Sequence, residues 1–188
     1  GGAAVASKPC SAAFASPCRR PNVAPMPKPP PTRRYWLFKS EPDQYSWQQL
    51  VADRRTCWNG VRNYQARNLL RDTVQLGDGV LFYHSNADPM VVAGIAKVVR
   101  TGYPDHTQFD AADPYFDAGS QPDDPRWYMV DIAPVAPLQR PLARDELKRV
   151  PELREMVLLQ RGSRLSVQPV TTAEWQTILR LGGAKEAW

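Results

Sequence analysis

The sequence is poor in the side chains from which most catalytic and metal sites are built. Its 188 residues include only two histidines and three cysteines. The cysteines, at positions 10, 18 and 57, form neither an even set nor a Cys-x-x-Cys pair, so neither a disulfide scaffold nor a thiolate zinc site is indicated. Gly-x-Ser-x-Gly elbows, paired histidines at helical spacing and EF-hand loops are also missing. We therefore expect a protein that is not an enzyme and that holds neither a metal ion nor a cofactor.

The sequence also lacks long apolar runs, and residues 35–188 lack an excess of positive charge. No segment approaches the ~20 apolar residues of a membrane-spanning helix, and the N-terminus lacks the apolar core of a secretory signal. Residues 1–34 carry six bases and no acid, whereas residues 35–188 carry 18 bases and 19 acids, so the formal charge of +5 belongs to the N-terminal part. A basic body that steers polyanions is not indicated. We expect no membrane partner and a cytoplasmic protein, or a nuclear or organellar one in a eukaryote.

The N-terminal segment differs in composition from the rest of the chain. Residues 1–33 hold eight of the 19 prolines, with alanine and serine between them. Such a composition buries too little apolar area to offset the entropy of the chain. We predict a disordered basic leader over residues 1–33, a single domain over residues 34–183 and a short tail at residues 184–188. The leader also resembles a transit peptide, and a mis-started chain is the alternative.

Beyond the leader, short apolar segments alternate with turn signals and helix caps. Strand character is found at residues 35–38, 80–83, 90–99, 127–134 and 164–170. Helical spacing is found after Ser46, from Asn63, over Leu142–Val150, from Pro151 and after Thr171, the first and last with a capping box. The order predicts an α+β fold in which five to six mostly antiparallel strands close into a small barrel flanked by several short helices.

Two stretches combine aromatic rings with many hydrogen-bonding groups. The first is Trp58–Asn68, which lies inside a segment from Arg54 to Arg71 that has five arginines and no acid. The second is Tyr83–Asn86, which ends an apolar run. Planar cations beside aromatic faces suit the recognition of phosphates and bases. We predict that the two stretches meet in one cleft sized for a single heterocycle.

A third segment, residues 101–125, contains six aspartates and no lysine or arginine. A connection of this length is more typical of a lid or a wall than of a passive link. It leaves two interpretations of Arg62 and Arg67, either phosphate contacts or ion pairs with the acidic segment, and phosphate is favoured for Arg62. Lys39 has two interpretations as well, a phosphate contact or an ion pair with Glu41. The aspartates themselves are most simply a solvated surface.

Six motifs, taken together and in this order, resemble the EVE domain family. They are Trp36-Leu-Phe-Lys-Ser-Glu-Pro42, Trp58-Asn-Gly-Val-Arg-Asn-Tyr-Gln-Ala-Arg-Asn68, Gly77-Asp-Gly-Val-Leu-Phe-Tyr-His-Ser-Asn86, Tyr103-Pro-Asp with Phe109-Asp110, Pro125-Arg-Trp127 and Arg164-Leu-Ser-Val167. The resemblance covers Tyr35 to Gly182. It implies a PUA-like pseudo-barrel related to the YTH readers of methylated adenine. It also implies a non-catalytic reader of a modified base in DNA or RNA, with modified cytosine as the usual suggestion.

The resemblance carries the binding site onto twelve positions. They are Trp36, Lys39, Ser40, Glu41, Trp58, Arg62, Asn63, Tyr64, Tyr83, His84, Ser85 and Asn86. A reader takes its base from a single strand or flips it out of a duplex, and stacking must recover part of that cost. Trp36, Trp58 and Tyr83 are the candidate stacking platforms, whereas Trp127 and Trp175 are assigned to the core.

Two alternatives remain open beside a nucleic-acid reader. The cleft could take a free nucleoside or a similar small molecule without any strand, which would suit the near-neutral body. Less favoured is a hydrolase that uses His84, since a histidine at the end of a strand is more often a neutral hydrogen-bond partner. In every case the protein is expected to be a monomer, with nucleic acid as the leading partner.

Overall fold

A long antiparallel pair of strands, β4 (Val91–Pro104) and β5 (Tyr128–Ala143), forms the centre of the structure. The structure is a computed structural model and describes residues 32–185. The predicted disordered leader lies outside the described residues except for residues 32 and 33, and residues 186–188 of the predicted tail lie outside them too. Both central strands are longer than their sequence patterns predicted, and several register shifts let them bend.

The remaining strands complete one six-stranded mixed sheet. They are β1 (Tyr35–Ser40), β2 (Thr56–Cys57), β3 (Gly79–His84) and β6 (Val167–Val170). The order across the sheet is β2-β5-β4-β3-β1-β6, and only the β1–β3 pair is parallel. The predicted α+β class, strand number and mostly antiparallel pairing are therefore confirmed. Among the described residues β2 and β6 do not pair with each other, so the sheet does not close into a hydrogen-bonded barrel.

Short helices flank the sheet. They are α1 (Trp47–Asp53), α2 (Tyr64–Asn68), α3 (Arg144–Leu147) and α4 (Thr172–Gly182), with a π-helical turn at Leu69–Thr73 and 3₁₀ turns at His106–Phe109, Pro151–Leu153 and Val157–Leu159. The capping box of Thr171 and Glu174 is present, and Gly183 ends α4 in the left-handed conformation. None of the helices between residues 32 and 185 has the length and the apolar character to cross a bilayer.

Two helix predictions were partly wrong. Ser46 does cap α1, but the Gln49 side chain bonds Asp53 instead of returning to the cap, so the capping box is incomplete. The helix predicted from Leu142 begins later, because Leu142 pairs with Val92 in the sheet and its backbone is already committed to the ladder. Between the end of β5 and the start of β6 the chain forms one α-helical turn and two 3₁₀ turns.

The sheet separates two apolar cores. Alternation along each strand sends successive side chains to opposite faces, so Phe82 joins the core that contains Trp36, whereas Tyr83 joins the core that contains Trp175. Trp175 is fully buried and stacks on Tyr35 at 4.4 Å between ring centroids, as its core assignment predicted. The first core lies under the end of the sheet where the polar segments meet.

Candidate functional site

A cleft of about 1070 Å³ opens where β1 and β3 end. Its lining comes from five parts of the chain: the end of β1 and the segment after it, β2 and the loop after it, the residues after β3, the acidic segment and the residues before β6. The lining residues are Lys39, Ser40, Glu41, Gln44, Tyr45, Thr56, Cys57, Trp58, Asn59, Gly60, Val61, Arg62, Ser85, Asn86, Pro114, Tyr115, Arg164 and Ser166. Seven of the twelve residues named from the sequence are among them, and the two central motifs meet in this cleft.

One wall of the cleft, the strand-end wall, consists of Lys39–Glu41 and Ser85–Asn86. Because β1 and β3 are parallel, they end at the same edge of the sheet, with Ser40 opposite His84. The Ser85 N–H continues the ladder by donating to the Ser40 carbonyl at 2.9 Å. Beyond it the Asn86 amide donates to the Glu41 carboxylate at 2.5 Å, from a left-handed backbone conformation that asparagine tolerates. Backbone pairing thus sets the position of this wall.

The opposite wall, the loop wall, consists of Thr56–Arg62. The Trp58 N–H donates to the Val130 carbonyl at 2.7 Å and fastens the loop to β5. The Trp58 indole packs against Phe38 and Phe82, with ring centroids at 5.2 and 5.6 Å, and keeps 8% of its surface exposed. It therefore belongs to the core and also forms part of the cleft surface.

Gly60 joins the loop wall to the acidic segment. Its φ of +73° is unfavourable for other residues, and an added Cβ would lie 2.7 Å from the Tyr115 ring. Tyr115 and Pro114 of the acidic segment line the cleft, so the segment does form part of its wall, as its length predicted. Glycine is required here because the ring lies directly against the backbone.

Asp105 holds the loop wall from inside. Its carboxylate is fully buried and accepts hydrogen bonds from the Gly60 N–H (2.8 Å), the Arg62 guanidinium (2.8 Å) and the Thr107 N–H (2.9 Å). Burial alone would raise the pKa of Asp105, but the donors from Thr107, Arg62 and Gly60 outweigh it and hold the pKa below its ordinary value. The carboxylate is therefore ionised at neutral pH.

All hydrogen-bond donors of the Arg62 guanidinium are used within the protein. Its guanidinium donates five hydrogen bonds, to Asp105, to the Thr107 hydroxyl at 2.8 Å, to the Val61 carbonyl at 3.3 Å and twice to the Tyr115 carbonyl. A guanidinium has five N–H donors, so none remains for a phosphate. Of the two interpretations from the sequence, the structure supports the ion pair with the acidic segment.

Lys39 has a different role from Arg62. Its ammonium donates to the Ser163 carbonyl at 3.1 Å, and among the described residues it forms no ion pair with Glu41. Burial, and next the nearby charge of Arg144, lower its pKa. An ammonium has three donors, so Lys39 can still meet an anion in the cleft.

Three of the residues named from the sequence are buried away from the cleft. Trp36 is 3% exposed and donates its indole N–H to Asp78 at 2.8 Å. Tyr83 faces the second core, where burial raises its pKa to about 12 and its hydroxyl has no partner within residues 32–185. His84 accepts the Trp47 N–H at 3.1 Å, and burial lowers its pKa. None of these three side chains lines the cleft, so the geometry of the cleft gives no support to the predictions that Trp36 and Tyr83 are stacking platforms and that His84 lines the site.

Asn63 and Tyr64 lie beside the cleft and do not line it. The Asn63 side-chain oxygen accepts the Ala66 N–H at 3.1 Å and caps α2, so this oxygen is used in starting the helix. Tyr64 is 56% exposed and lies on the Trp127 ring at 4.9 Å. Trp127 is 6% exposed, which agrees with its predicted burial.

Sequence reasoning missed two aromatic residues of the cleft, Tyr45 and Tyr115. Tyr45 donates its hydroxyl to Asp53 at 2.8 Å, and burial raises its pKa to about 12. Tyr115 is 44% exposed and lies under the Arg62 guanidinium at 5.4 Å. The only signal for Tyr115 was the length of its segment, and Tyr45 carried none, because a tyrosine between a proline turn and a helix cap is unremarkable.

The chemistry of the cleft suits binding. Its titratable groups include Lys39, Arg164, Glu41 and Cys57, and no histidine is among the lining residues between positions 32 and 185. Burial, followed by the charge of Asp131, raises the pKa of the Cys57 thiol, which makes it a poor nucleophile. The described residues also contain no group of three or more histidines, cysteines or acids placed to hold a metal ion.

Comparison with known proteins gives consistent matches. A family model described as the EVE domain matches residues 34–181. Thymocyte nuclear protein 1 of Rattus norvegicus is 42% identical over 170 residues, covering 80% of this chain and 74% of that protein. A solved protein from Pseudomonas syringae is 44% identical with a TM-score of 0.76, covering 79% of this chain and 99% of that one. Human THYN1 protein, solved in complex with 5-methylcytosine containing DNA, is 40% identical with a TM-score of 0.76, covering 81% and 99%.

Proposed function

This chain belongs to the EVE domain family, and on that premise we propose that it is a non-catalytic module that binds a modified cytosine of nucleic acid in the cleft. The observation that carries the proposal is the meeting of an aromatic loop wall with a polar strand-end wall in one open cleft. The relation to human THYN1, a protein solved with 5-methylcytosine containing DNA, supports the choice of base.

The cleft offers flat apolar surface and hydrogen-bonding groups in the combination that a nucleobase requires. Trp58, Tyr45 and Tyr115 supply rings around its rim and floor. A base stacked on an aromatic side chain gains ~1–3 kcal/mol. The volume of about 1070 Å³ exceeds that of a single base and leaves room for its sugar and phosphate.

Glu41 is the residue that we assign to reading the base edge. One of its carboxylate oxygens accepts from Asn86, which holds the group at the mouth of the cleft. A carboxylate can accept from the exocyclic amine of cytosine, a donor that thymine and uracil do not have. Ser85 supplies a hydroxyl beside it, and Lys39 supplies a cation for the attached phosphate.

The energetics favour an unpaired substrate. Taking a base out of a duplex costs a few kcal/mol, which is comparable to one stacking contribution. The near-neutral charge of residues 35–188 adds little non-specific attraction to a polyanion. We therefore expect tighter binding to single strands than to duplexes.

The test is a titration of the full chain with single-stranded oligonucleotides that differ at one position. The position carries 5-methylcytosine, 5-hydroxymethylcytosine, cytosine or thymine. We expect a modified cytosine to bind most tightly and thymine least. Equal weak binding to all four would overturn the proposal.

Capture of a free nucleoside is the second candidate, and the near-neutral body favours it. A nucleoside has no phosphate, so its affinity should be almost independent of salt, whereas an oligonucleotide releases counterions and binds less tightly as salt rises. Equal affinity for 5-methyl-2′-deoxycytidine and for the oligonucleotide that contains it would favour this candidate. The hydrolase alternative has no support at His84, which lies outside the cleft.

A further inference from the structure

A second aromatic surface lies next to the cleft, and we call it the Tyr64 platform. It consists of Tyr64, Arg67 and Trp127. The Tyr64 and Trp127 rings pack with their centroids 4.9 Å apart and their planes tilted by 30°, and the Arg67 guanidinium lies over the Tyr64 ring, 5.1 Å from its centroid. Tyr64 is more than half exposed although it is a large aromatic residue, so the platform presents a ring to solvent.

The distances show which face of Tyr64 is open. The Arg67 guanidinium lies 6.0 Å from the Trp127 centroid, so the three groups form a nearly equilateral triangle. A cation on the far face of the Tyr64 ring would lie much farther from Trp127, at roughly twice the distance between the two rings. Arg67 therefore lies on the same side of Tyr64 as Trp127, and the opposite face of the Tyr64 ring is left for another planar group.

Arg67 is a cation with unused hydrogen-bonding capacity. It donates to Asn68 at 2.8 Å and to the Arg126 carbonyl, and its Nη2 group has no hydrogen bond within residues 32–185. Nor does Arg67 have an ion pair with any described carboxylate, in contrast to Arg71, which pairs with Asp72 at 2.7 Å. A free charge beside an open ring is the arrangement that single-stranded nucleic acid requires, with a base on the ring and a phosphate on the cation.

The platform and the cleft share a structural element. Arg62 lines the cleft, and its guanidinium lies 5.3 Å from the Trp127 ring of the platform. The segment Trp58–Asn68 thus contributes to both surfaces, which adjoin where Arg62 lies against Trp127.

From this geometry we propose that the Tyr64 platform binds the unpaired nucleotide adjacent to the one held in the cleft, with its base on Tyr64 and its phosphate on Arg67. The proposal rests on the proposed function, since it needs a nucleotide in the cleft. It adds a second subsite and a substrate class: a single strand at least two nucleotides long. A duplex would keep the adjacent base stacked and paired, so it could not use the platform.

The experiment measures the affinity of the full chain for three probes that contain 5-methylcytosine: the free nucleoside, a single-stranded hexamer and the same hexamer in a duplex. Wild-type protein should prefer the single strand. Tyr64→Leu keeps an apolar side chain over Trp127 but removes the ring. It should therefore lower the affinity for the single strand about tenfold and leave the affinity for the nucleoside unchanged. Tyr64→Phe keeps the ring and should bind like the wild type.

Arg67→Gln tests the phosphate contact. It should lower the slope of log affinity against log salt by about 0.7 for the single strand, the value for one lost phosphate contact. Arg180→Gln is the matched control: Arg180 lies on α4, which packs on the other core, has a side chain that is 64% exposed, and should not change the slope.

The outcomes separate the two proposals. If Tyr64→Leu weakens the nucleoside as much as the hexamer, or weakens neither, the platform is not a second subsite and this inference is overturned. A fourth probe, the single-stranded hexamer with cytosine in place of 5-methylcytosine, tests the proposed function: if wild-type protein binds the two hexamers equally, the proposed function fails instead. Thermal melts of each variant distinguish lost binding from lost folding.

Discussion

The two walls of the cleft face the same space, yet different forces hold them. The strand-end wall continues the parallel pairing of β1 and β3, so backbone hydrogen bonds position it. The loop wall is fastened to β5 only at Thr56–Trp58, and its remainder depends on one buried carboxylate, Asp105, that bonds both the Gly60 backbone and the Arg62 side chain. The comparison teaches that side chains of the strand-end wall can change with little cost to the fold, whereas the loop wall depends on an intact buried network.

The largest expected effect comes from removing Asp105. Asp105→Ala leaves the Arg62 cation and the Gly60 N–H without their buried acceptor, and breaking a buried pair costs about 3–5 kcal/mol. Urea unfolding measures the loss. Asp123→Ala is the control, because Asp123 lies exposed in the same acidic segment and should change stability by less than about 0.5 kcal/mol. Equal effects of the two changes would contradict the special role of Asp105.

Trp58→Leu comes next, because Trp58 belongs to the core and also lines the cleft. The change keeps an apolar side chain over Phe38 and Phe82 but removes the ring from the cleft. We expect binding of a modified cytosine to weaken by about 1–3 kcal/mol. Fluorescence anisotropy with modified and unmodified oligonucleotides measures it. Unequal losses for the two probes are expected, and a loss shared equally would argue that Trp58 only supports the fold.

Glu41→Gln tests the strand-end wall. Glu41 is exposed, so unfolding free energy should change by less than about 0.5 kcal/mol. The amide can present its N–H₂ to the base, so discrimination of cytosine against thymine should fall by about 1 kcal/mol. A competition titration between the two oligonucleotides measures the ratio. If discrimination of cytosine against thymine is unchanged, Glu41 does not contact the edge of the base.

Acid should weaken the loop wall, by less than the mutation does, because a protonated Asp105 still accepts hydrogen bonds. The pKa of Asp105 in the folded protein lies below its value in the unfolded chain. The stability that the ionised carboxylate contributes is therefore fully present above the unfolded pKa of about 3.9 and is lost as pH falls through the folded pKa. Asp105→Asn should flatten the dependence of unfolding free energy on pH below about 4. An unaltered profile would assign the acid sensitivity to other carboxylates.

The smallest effect separates the two cations that the sequence placed in the site. Lys39→Gln should lower the salt slope of single-strand binding by about 0.7, because its ammonium has free donors for a phosphate. Arg62→Lys should leave the slope unchanged and reduce stability, because its donors are already used within the protein. A lower slope in Arg62→Lys would show that Arg62 does contact a strand.

Local signals in the sequence predicted much of the fold and the place of the cleft. The Thr171 cap, the hairpin of β3 and β4 and the terminal helix depend on residues close together in sequence, and all are present. The meeting of the two polar-aromatic stretches followed from where their motifs begin and end. The sheet order places β5 and β4 between β2 and β3, so the first stretch reaches the second through the loop after β2 and not through pairing of neighbouring strands.

Side-chain direction and distant partners could not be predicted in this way. β3 is buried on both faces, so no polar alternation indicates that Phe82 points to one core and Tyr83 to the other. The same uncertainty applied to Trp36. The sequence offered an ion pair of Arg62 with the acidic segment as one of two interpretations, but only the folded chain shows that the partner is Asp105, 43 residues away. Tyr115 lies in a segment with little regular structure, so no helix or strand pattern in the sequence indicates that it lines the cleft.

The open order of the sheet has a consequence for how molecules of this protein meet one another. One margin, β2, is two residues long, and the other, β6, is four residues long and contains Pro169, which has no amide to offer a neighbouring strand. Neither edge strand is a good template for pairing with a strand from a second molecule. An unclosed sheet can therefore resist edge-to-edge aggregation without a covering helix.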